Sequence, residues 1–139
     1  MPLNKIVVGY DDGEPARRAL DRAAEIAEAF GASIVVTSVT PILPGAGRSA
    51  GPIDPVDSFE HHKDELKAAR DHLADRKVEV RFQAAVGEPA ETIVELAESE
   101  DADLIVVGTR EPGIVERLLG QSVSDSVARH AHRDVLIVH

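Results

Sequence analysis

Five short apolar runs, most of them rich in β-branched residues, recur along the chain, and segments of helical period separate them. Ile6, Val7 and Val8 form the first, ending at Asp11, Asp12 and Gly13. Ile34, Val35 and Val36 lie in the second, over 32–39. In the third, Val78, Val80, Phe82 and Ala84 alternate at period two, as a strand requires. The fourth covers 102–107 with Leu104, Ile105, Val106 and Val107, and the fifth covers 134–138. Each is too short for an isolated helix and reads as a buried strand. Between them, Ala16, Leu20, Ala23, Ala27 and Phe30 recur at three- and four-residue steps. Phe59, Leu66, Ala69 and Leu73 share one side within 56–75; Ile93, Leu96 and Ala97 face inward after Gly87, Glu88 and Pro89; and Val115, Leu118, Leu119, Val123 and Val127 mark a helix within 114–130.

The order is therefore β-α-β-loop-α-β-α-β-α-β. Strands alternating with helices pair in parallel through right-handed crossovers. Near-continuous apolar strands imply a sheet covered on both faces. The expected fold is α/β, a single doubly wound parallel sheet of five strands with helices on both faces. One domain over 1–139 suits the length. A chain of this size buries enough surface to fold without a disulfide or metal staple. Pro15 fits the first turn of a helix, and Gly31 its C-terminal stop. Pro41, Pro44, Pro52 and Pro55, with Gly45, Gly47 and Gly51, mark 40–55 as a long internal loop, expected to be functional or mobile.

Composition removes several function classes. Asp and Glu number 25 against 15 Lys and Arg, for a net charge of -10. A nucleic-acid partner needs the opposite sign, and an anionic membrane surface is disfavoured for the same reason. Aromatic residues are 3%, too few for base-stacking platforms. No cysteine occurs, which excludes thiol catalysis and Cys-based metal centres and suits a reducing cytoplasm. The start of the chain has no basic segment followed by a long apolar one, so no signal peptide is expected. The apolar runs are far too short to cross a bilayer. The expected location is the cytoplasm.

In a doubly wound sheet, ligands bind outside the carboxyl ends of the strands where the strand order reverses. Two polar turns therefore carry the candidate chemistry: Asp11, Asp12, Gly13 after the first strand, and Gly108, Thr109, Arg110, Glu111, Pro112, Gly113 after the fourth. Gly108 permits close backbone approach, Gly113 precedes a helix whose N–H groups suit phosphate, and Arg110 adds a charge-assisted contact. Ser122 and Ser124 reach this turn only if the helix starts late. The alternative is a plain strand-to-helix connection. Neither a Walker A loop nor Gly-x-Gly-x-x-Gly is present. Asp11 with Asp12 resembles the acidic pocket of a response-regulator receiver, but the third strand ends at Ala84, Ala85, Val86, Gly87, and no Lys follows the fifth. His61 and His62, adjacent on a helix, face apart, and His130 and His132 suit a helix C-terminus; no metal site is evident. Ser122 lacks the nucleophile-elbow setting of a serine hydrolase. The acidic stretch 91–103 reads as a solvated face.

The order of elements and these turns resemble the universal stress protein family. The resemblance covers nearly the whole chain. It is carried by Ile6, Val7, Val8, Gly9, Tyr10 and Asp11; by Ala19 and Leu20; by Gly87, Glu88, Pro89, Ala90 and Ile93; by residues 102–110; and by Ser122, Val123 and Ser124 before 135–138. It implies strand order 3-2-1-4-5 and a homodimer through the last strand. It also implies ATP or AMP binding in some members and not in others. Binders resemble Gly-x-x-Gly, nine residues, then Gly-Ser or Gly-Thr. Gly108 and Ser122 fit without a gap, Glu111 and Gln121 stand at two glycine positions, and Gly120 comes one place early. Asp11 matches the acid that meets adenosine, and Val39 the residue that lines the adenine pocket. The cofactor-binding set is Asp11, Val39, Gly108, Arg110, Gly113, Ser122, Val123 and Ser124.

The departures have a physical consequence. A carboxylate at 4 Å from one phosphate charge costs about 1 kcal/mol in water and about 4 kcal/mol at an effective dielectric near 20. A side chain at 111 or 121 also hinders backbone approach. The resemblance implies a regulatory binding protein of the stress response, not an enzyme. An ATP- or AMP-binding sensor is the first alternative, and a slow ATP hydrolase the second.

Overall fold

β1 (Lys5–Gly9) lies at the centre of a five-stranded sheet in the order β3-β2-β1-β4-β5, with every neighbouring pair parallel. The other strands are β2 (Ser33–Thr40), β3 (Val80–Val86), β4 (Leu104–Gly108) and β5 (Asp134–Val138). The helices are α1 (Glu14–Phe30), α2 (Phe59–His72), α3 (Pro89–Ser99) and α4 (Val123–His130). This computed structural model describes residues 3–11, 13–40, 59–109 and 123–139. Most of the Pro/Gly-rich loop and the first part of the expected fourth helix lie outside the described residues.

The expected topology and strand order are observed. Boundaries differ by a few residues. Helix α1 begins at Glu14 rather than Ala16, because Pro15, which lacks an N–H to lose, sits in its first turn. It ends at Gly31, whose φ of 70° is left-handed. Strand β3 runs from Val80 to Val86, two residues later than the alternation suggested, because its ladder with β2 continues to Thr40 and Val86. Glu88 caps α3, accepting from the N–H groups of Ala90 and Glu91 at 3.3 and 2.7 Å.

Alternation along each strand divides the core in two. Ile6, Val8, Ile34, Val36 and Val106 face α1 and α2, where Ala19, Leu20, Ala23, Leu66, Ala69 and Leu73 cover them. Val7, Val35, Val39, Ile105 and Val107 face α3 and α4, against Ile93, Leu96, Ala97 and Val127. The central strands are buried on both faces, whereas β5 at one edge is only half-buried along Val135–Val138. The acidic stretch is not uniformly solvated: Glu91, Glu95 and Glu98 are exposed, while Ile93, Val94, Leu96 and Ala97 between them are core.

Charged groups tie the amino ends of the strands together. Asp103 Oδ2 accepts from the N–H groups of Asn4 and Lys5 at 2.8 and 3.1 Å. Glu100 receives Lys5 Nζ at 3.2 Å and an Arg81 guanidinium nitrogen at 2.5 Å. The bond from Arg81 holds the Glu100 carboxyl below its ordinary value, outweighing partial burial, which pushes it up; Lys5 lowers it further. Arg133 donates to the Ala102 carbonyl and pairs with Asp101 at 3.4 Å.

Candidate functional site

The strand order reverses between β1 and β4. From β1 the chain turns into α1 on one face, and α4 lies on the other face beside α3. In sheets of this kind the ligand crevice lies at this switch point, here beyond Gly9 and Gly108. Backbone bonds fix its rim. The Tyr10 N–H donates to the Thr37 carbonyl at 2.9 Å, and the Thr109 N–H to the Val138 carbonyl at 2.9 Å. Asp11 and Thr109 thus follow directly from two ordered strand ends.

Asp11 is exposed, and its Oδ1 accepts from the Gly13 N–H at 3.1 Å. This is an Asx turn, which sets the direction in which α1 departs. Gly13 is the N-cap of α1 and supplies no side-chain cap, so Asp11 does the capping work from two residues upstream.

Gly108 is small because of its neighbour. A Cβ there would lie 2.6 Å from the carbonyl carbon and oxygen of Pro15 and 2.8 Å from the Ala16 nitrogen. The first turn of α1 rests directly on the end of β4. Gly9 is tight for a softer reason: its Cβ would lie 2.7 Å from Ile93 Cδ1, the movable end of a side chain.

Val39, 9% exposed, lies near the end of β2 in the α3-side core. Val123 is half-buried against the same core, and Ser124 is buried; both stand in the first turn of the described part of α4. The structure therefore places Asp11, Val39 and Gly108 at the carboxyl ends of three adjacent strands, and Val123 and Ser124 on α4, in the layer on the Val39 side. Arg110, Gly113 and Ser122 lie outside the described residues, as do Glu111 and Gln121.

Polar residues that the sequence pattern passes over as strand filler are buried beside this set. Thr37 is fully buried, and its Oγ1 has no hydrogen-bond partner among the described residues. Ser38, also fully buried, points the other way, toward α2, and meets His62 Nδ1 at 2.6 Å. Glu65 Oε1 lies 3.2 Å from the same nitrogen. The sequence signal was present: two hydroxyl residues interrupt an apolar run, and His62 precedes Glu65 by three residues, one helical turn. Among the described residues no group of three or more metal-ligating side chains gathers, and no helix is long and apolar enough to cross a membrane.

A parallel sheet in this order, with its crevice at the β1/β4 switch, defines a doubly wound α/β protein of the kind that takes ligands at its strand ends. The sequence pattern of the Universal stress protein family matches residues 2–139. A universal stress protein of Mycobacterium tuberculosis is 38% identical over 96% of this chain and 94% of its own length. One from Methanocaldococcus jannaschii is 33% identical over 96% of this chain and 81% of its own. The chain belongs to the universal stress protein family.

Solved structures agree. A universal stress protein crystallised with cAMP is 30% identical, with a TM-score of 0.77 over 100% of this chain and 99% of that one. The universal stress protein of Archaeoglobus fulgidus in complex with dAMP is 29% identical, with a TM-score of 0.73 over the whole of both chains.

Proposed function

We propose that the crevice between β1 and β4 binds an adenine nucleotide with one phosphate, and that the protein is a regulatory binding protein of the stress response rather than an enzyme. The observation that carries this reading is the full-length likeness to two structures that hold cAMP and dAMP. In this reading Val39 lines the adenine, and Asp11 meets the adenosine part. The backbone at Gly108 and Gly113, with Arg110, Ser122, Val123 and Ser124, receives the phosphate.

Charge supports a single phosphate over three. Glu111 stands in the phosphate-binding turn, and each added phosphate charge meets its repulsion. Asp11, the described carboxylate at the crevice, is engaged in the turn that starts α1, which suits holding a ligand better than moving a proton.

Two copies pair along β5 in the same proposal. It is an edge strand of half-buried apolar residues, and such an edge invites a partner. A groove of about 480 Å³ between α1 and β5, lined by Arg18, Asp21, Leu136 and Val138 among others, continues that surface. The absence of cysteine suits work in the cytoplasm.

Calorimetric titration of cAMP, AMP and ATP at one salt concentration tests the nucleotide reading. Binding of cAMP and AMP more tightly than ATP is expected. Failure of all three to bind would overturn it.

A further inference from the structure

Two consecutive residues of β2 bury a hydroxyl completely, and their surroundings differ. Ser38 meets His62 Nδ1 at 2.6 Å on the α2 side. Thr37 faces the other way, and its Oγ1 has no hydrogen-bond partner among the described residues. A buried hydroxyl without a partner is costly enough that folded chains avoid it. Valine has nearly the same shape and carries no such cost. The hydroxyl at 37 therefore calls for a role outside the packing.

Alternation puts Thr37 on the face that carries Val35 and Val39, both in the α3-side core. Gly9 pairs with Thr37 across the ladder and brings no side chain. Ile93 Cδ1 and Val107 Cγ1 fill the space over it, 2.7 and 3.3 Å from where a Cβ would stand. On the other flank β3 sets Gln83 opposite Thr37, but Gln83 is exposed and does not bond the hydroxyl. The Thr37 carbonyl already takes the Tyr10 N–H at 2.9 Å. Val35 closes the direction toward the amino end of the strand. The direction left runs toward the carboxyl end, where Val39 marks the candidate adenine pocket.

Thr37 and Val39 are one pleat apart, about 6.6 Å at about 3.3 Å per residue. A base seated against Val39 thus lies about two hydrogen-bond lengths from Thr37 Oγ1, the span of a single bridging water. A hydroxyl donates one bond and accepts two, so it can answer the ring nitrogens and the amino group of a purine alike.

We propose that Thr37 is the polar floor of the nucleotide crevice: the fold leaves its hydroxyl unpaired, and the base of the bound nucleotide bonds it through one water. This rests on the nucleotide reading above and adds to it a recognition contact one pleat below the residue matched to the adenine pocket. Binding relieves a cost that the unliganded protein carries. The hydroxyl should therefore act with opposite sign on stability and on affinity.

Thr37→Val and Thr37→Ser separate the two effects, with cAMP as the probe. Without ligand, the urea midpoint of Thr37→Val should stand at or above that of wild type, because a methyl replaces an unpaired hydroxyl. Its affinity for cAMP, read by calorimetric titration, should fall about tenfold, the worth of one buried hydrogen bond. Thr37→Ser keeps the hydroxyl and should bind within about twofold of wild type, despite a lower midpoint from the lost methyl. Wild-type affinity in Thr37→Val overturns the proposal. So does a midpoint below wild type in that variant, which would show that the hydroxyl already has its partner within the fold. An equal loss of affinity in Thr37→Ser would assign the effect to packing and overturn it as well. Absence of cAMP binding by wild type overturns the nucleotide reading and this proposal with it, whereas wild-type binding that Thr37→Val matches overturns this proposal alone.

Discussion

Gly108 and Pro15 touch through their backbones: a Cβ on Gly108 would stand 2.6 Å from the Pro15 carbonyl. This contact joins the two halves of the crevice, since Gly108 ends β4 and Pro15 opens α1. It also gives the first glycine of the phosphate-binding pattern a packing role independent of any phosphate. The atoms it meets are helix backbone, so they cannot swing aside as a side chain would.

Gly108→Ala should therefore destabilise the fold with no ligand present. Overpacking against a fixed neighbour costs about 1–3 kcal/mol, and the urea midpoint should fall accordingly. Gly9→Ala presses only on Ile93 Cδ1 and should cost less. An equal loss in the two variants would show that α1 gives way more easily than its backbone contact implies.

Glu111 and Gln121 offer a separate handle on the proposed phosphate turn. Changing both to Gly should tighten ATP binding about tenfold, about 1.4 kcal/mol. AMP should gain less, because it carries fewer charges for Glu111 to repel. Titration calorimetry on wild type and variant reads the difference. Equal gains for the two nucleotides would reject the charge argument and keep the steric one.

Leu136→Lys with Val138→Lys should weaken self-association along β5. Each introduces a charge on a half-buried edge strand, the usual device against edge pairing. Light scattering at micromolar concentration should show two chains for wild type and a smaller mass for the variant. A wild-type mass of one chain would remove the dimer.

Acid should loosen the amino end of the sheet before neutral pH affects it. The Glu100 carboxyl is held below its ordinary value, foremost by Arg81. A depressed carboxyl contributes stability above its unfolded titration and loses it as pH falls through the folded one. Glu100→Gln should lower the urea midpoint at neutral pH and flatten its decline in acid. A decline as steep as that of wild type would assign the acid sensitivity to other groups.

Much of this was legible in the sequence. The five strands and the helices between them follow from periodicity, because burial on one or two faces is a repeating demand. Asp11, Val39 and Gly108 could be placed at strand ends for the same reason. The cause behind Gly108 could not. That Gly108 accommodates Pro15, 93 residues earlier in the chain, depends on tertiary approach, and local spacing carries no record of it. Ser38 and His62 were hidden differently. Ser38 reads as one polar residue in a strand, and His62 as half of an adjacent pair on a helix. Only the stacking of α2 on β2 brings them within hydrogen-bond distance.

The fasteners at the amino ends of the strands have a consequence for how such a chain can diversify. Lys5, Arg81, Glu100 and Asp103 lock the sheet at the end opposite the crevice. These charged fasteners and the proposed ligand site are thus at opposite poles, with the Gly108–Pro15 contact the one fixed point at the crevice end named above. Beyond Gly108, residues of the turns at that end can change without loosening those bolts. A scaffold arranged this way lets ligand preference drift rapidly while the architecture stays still.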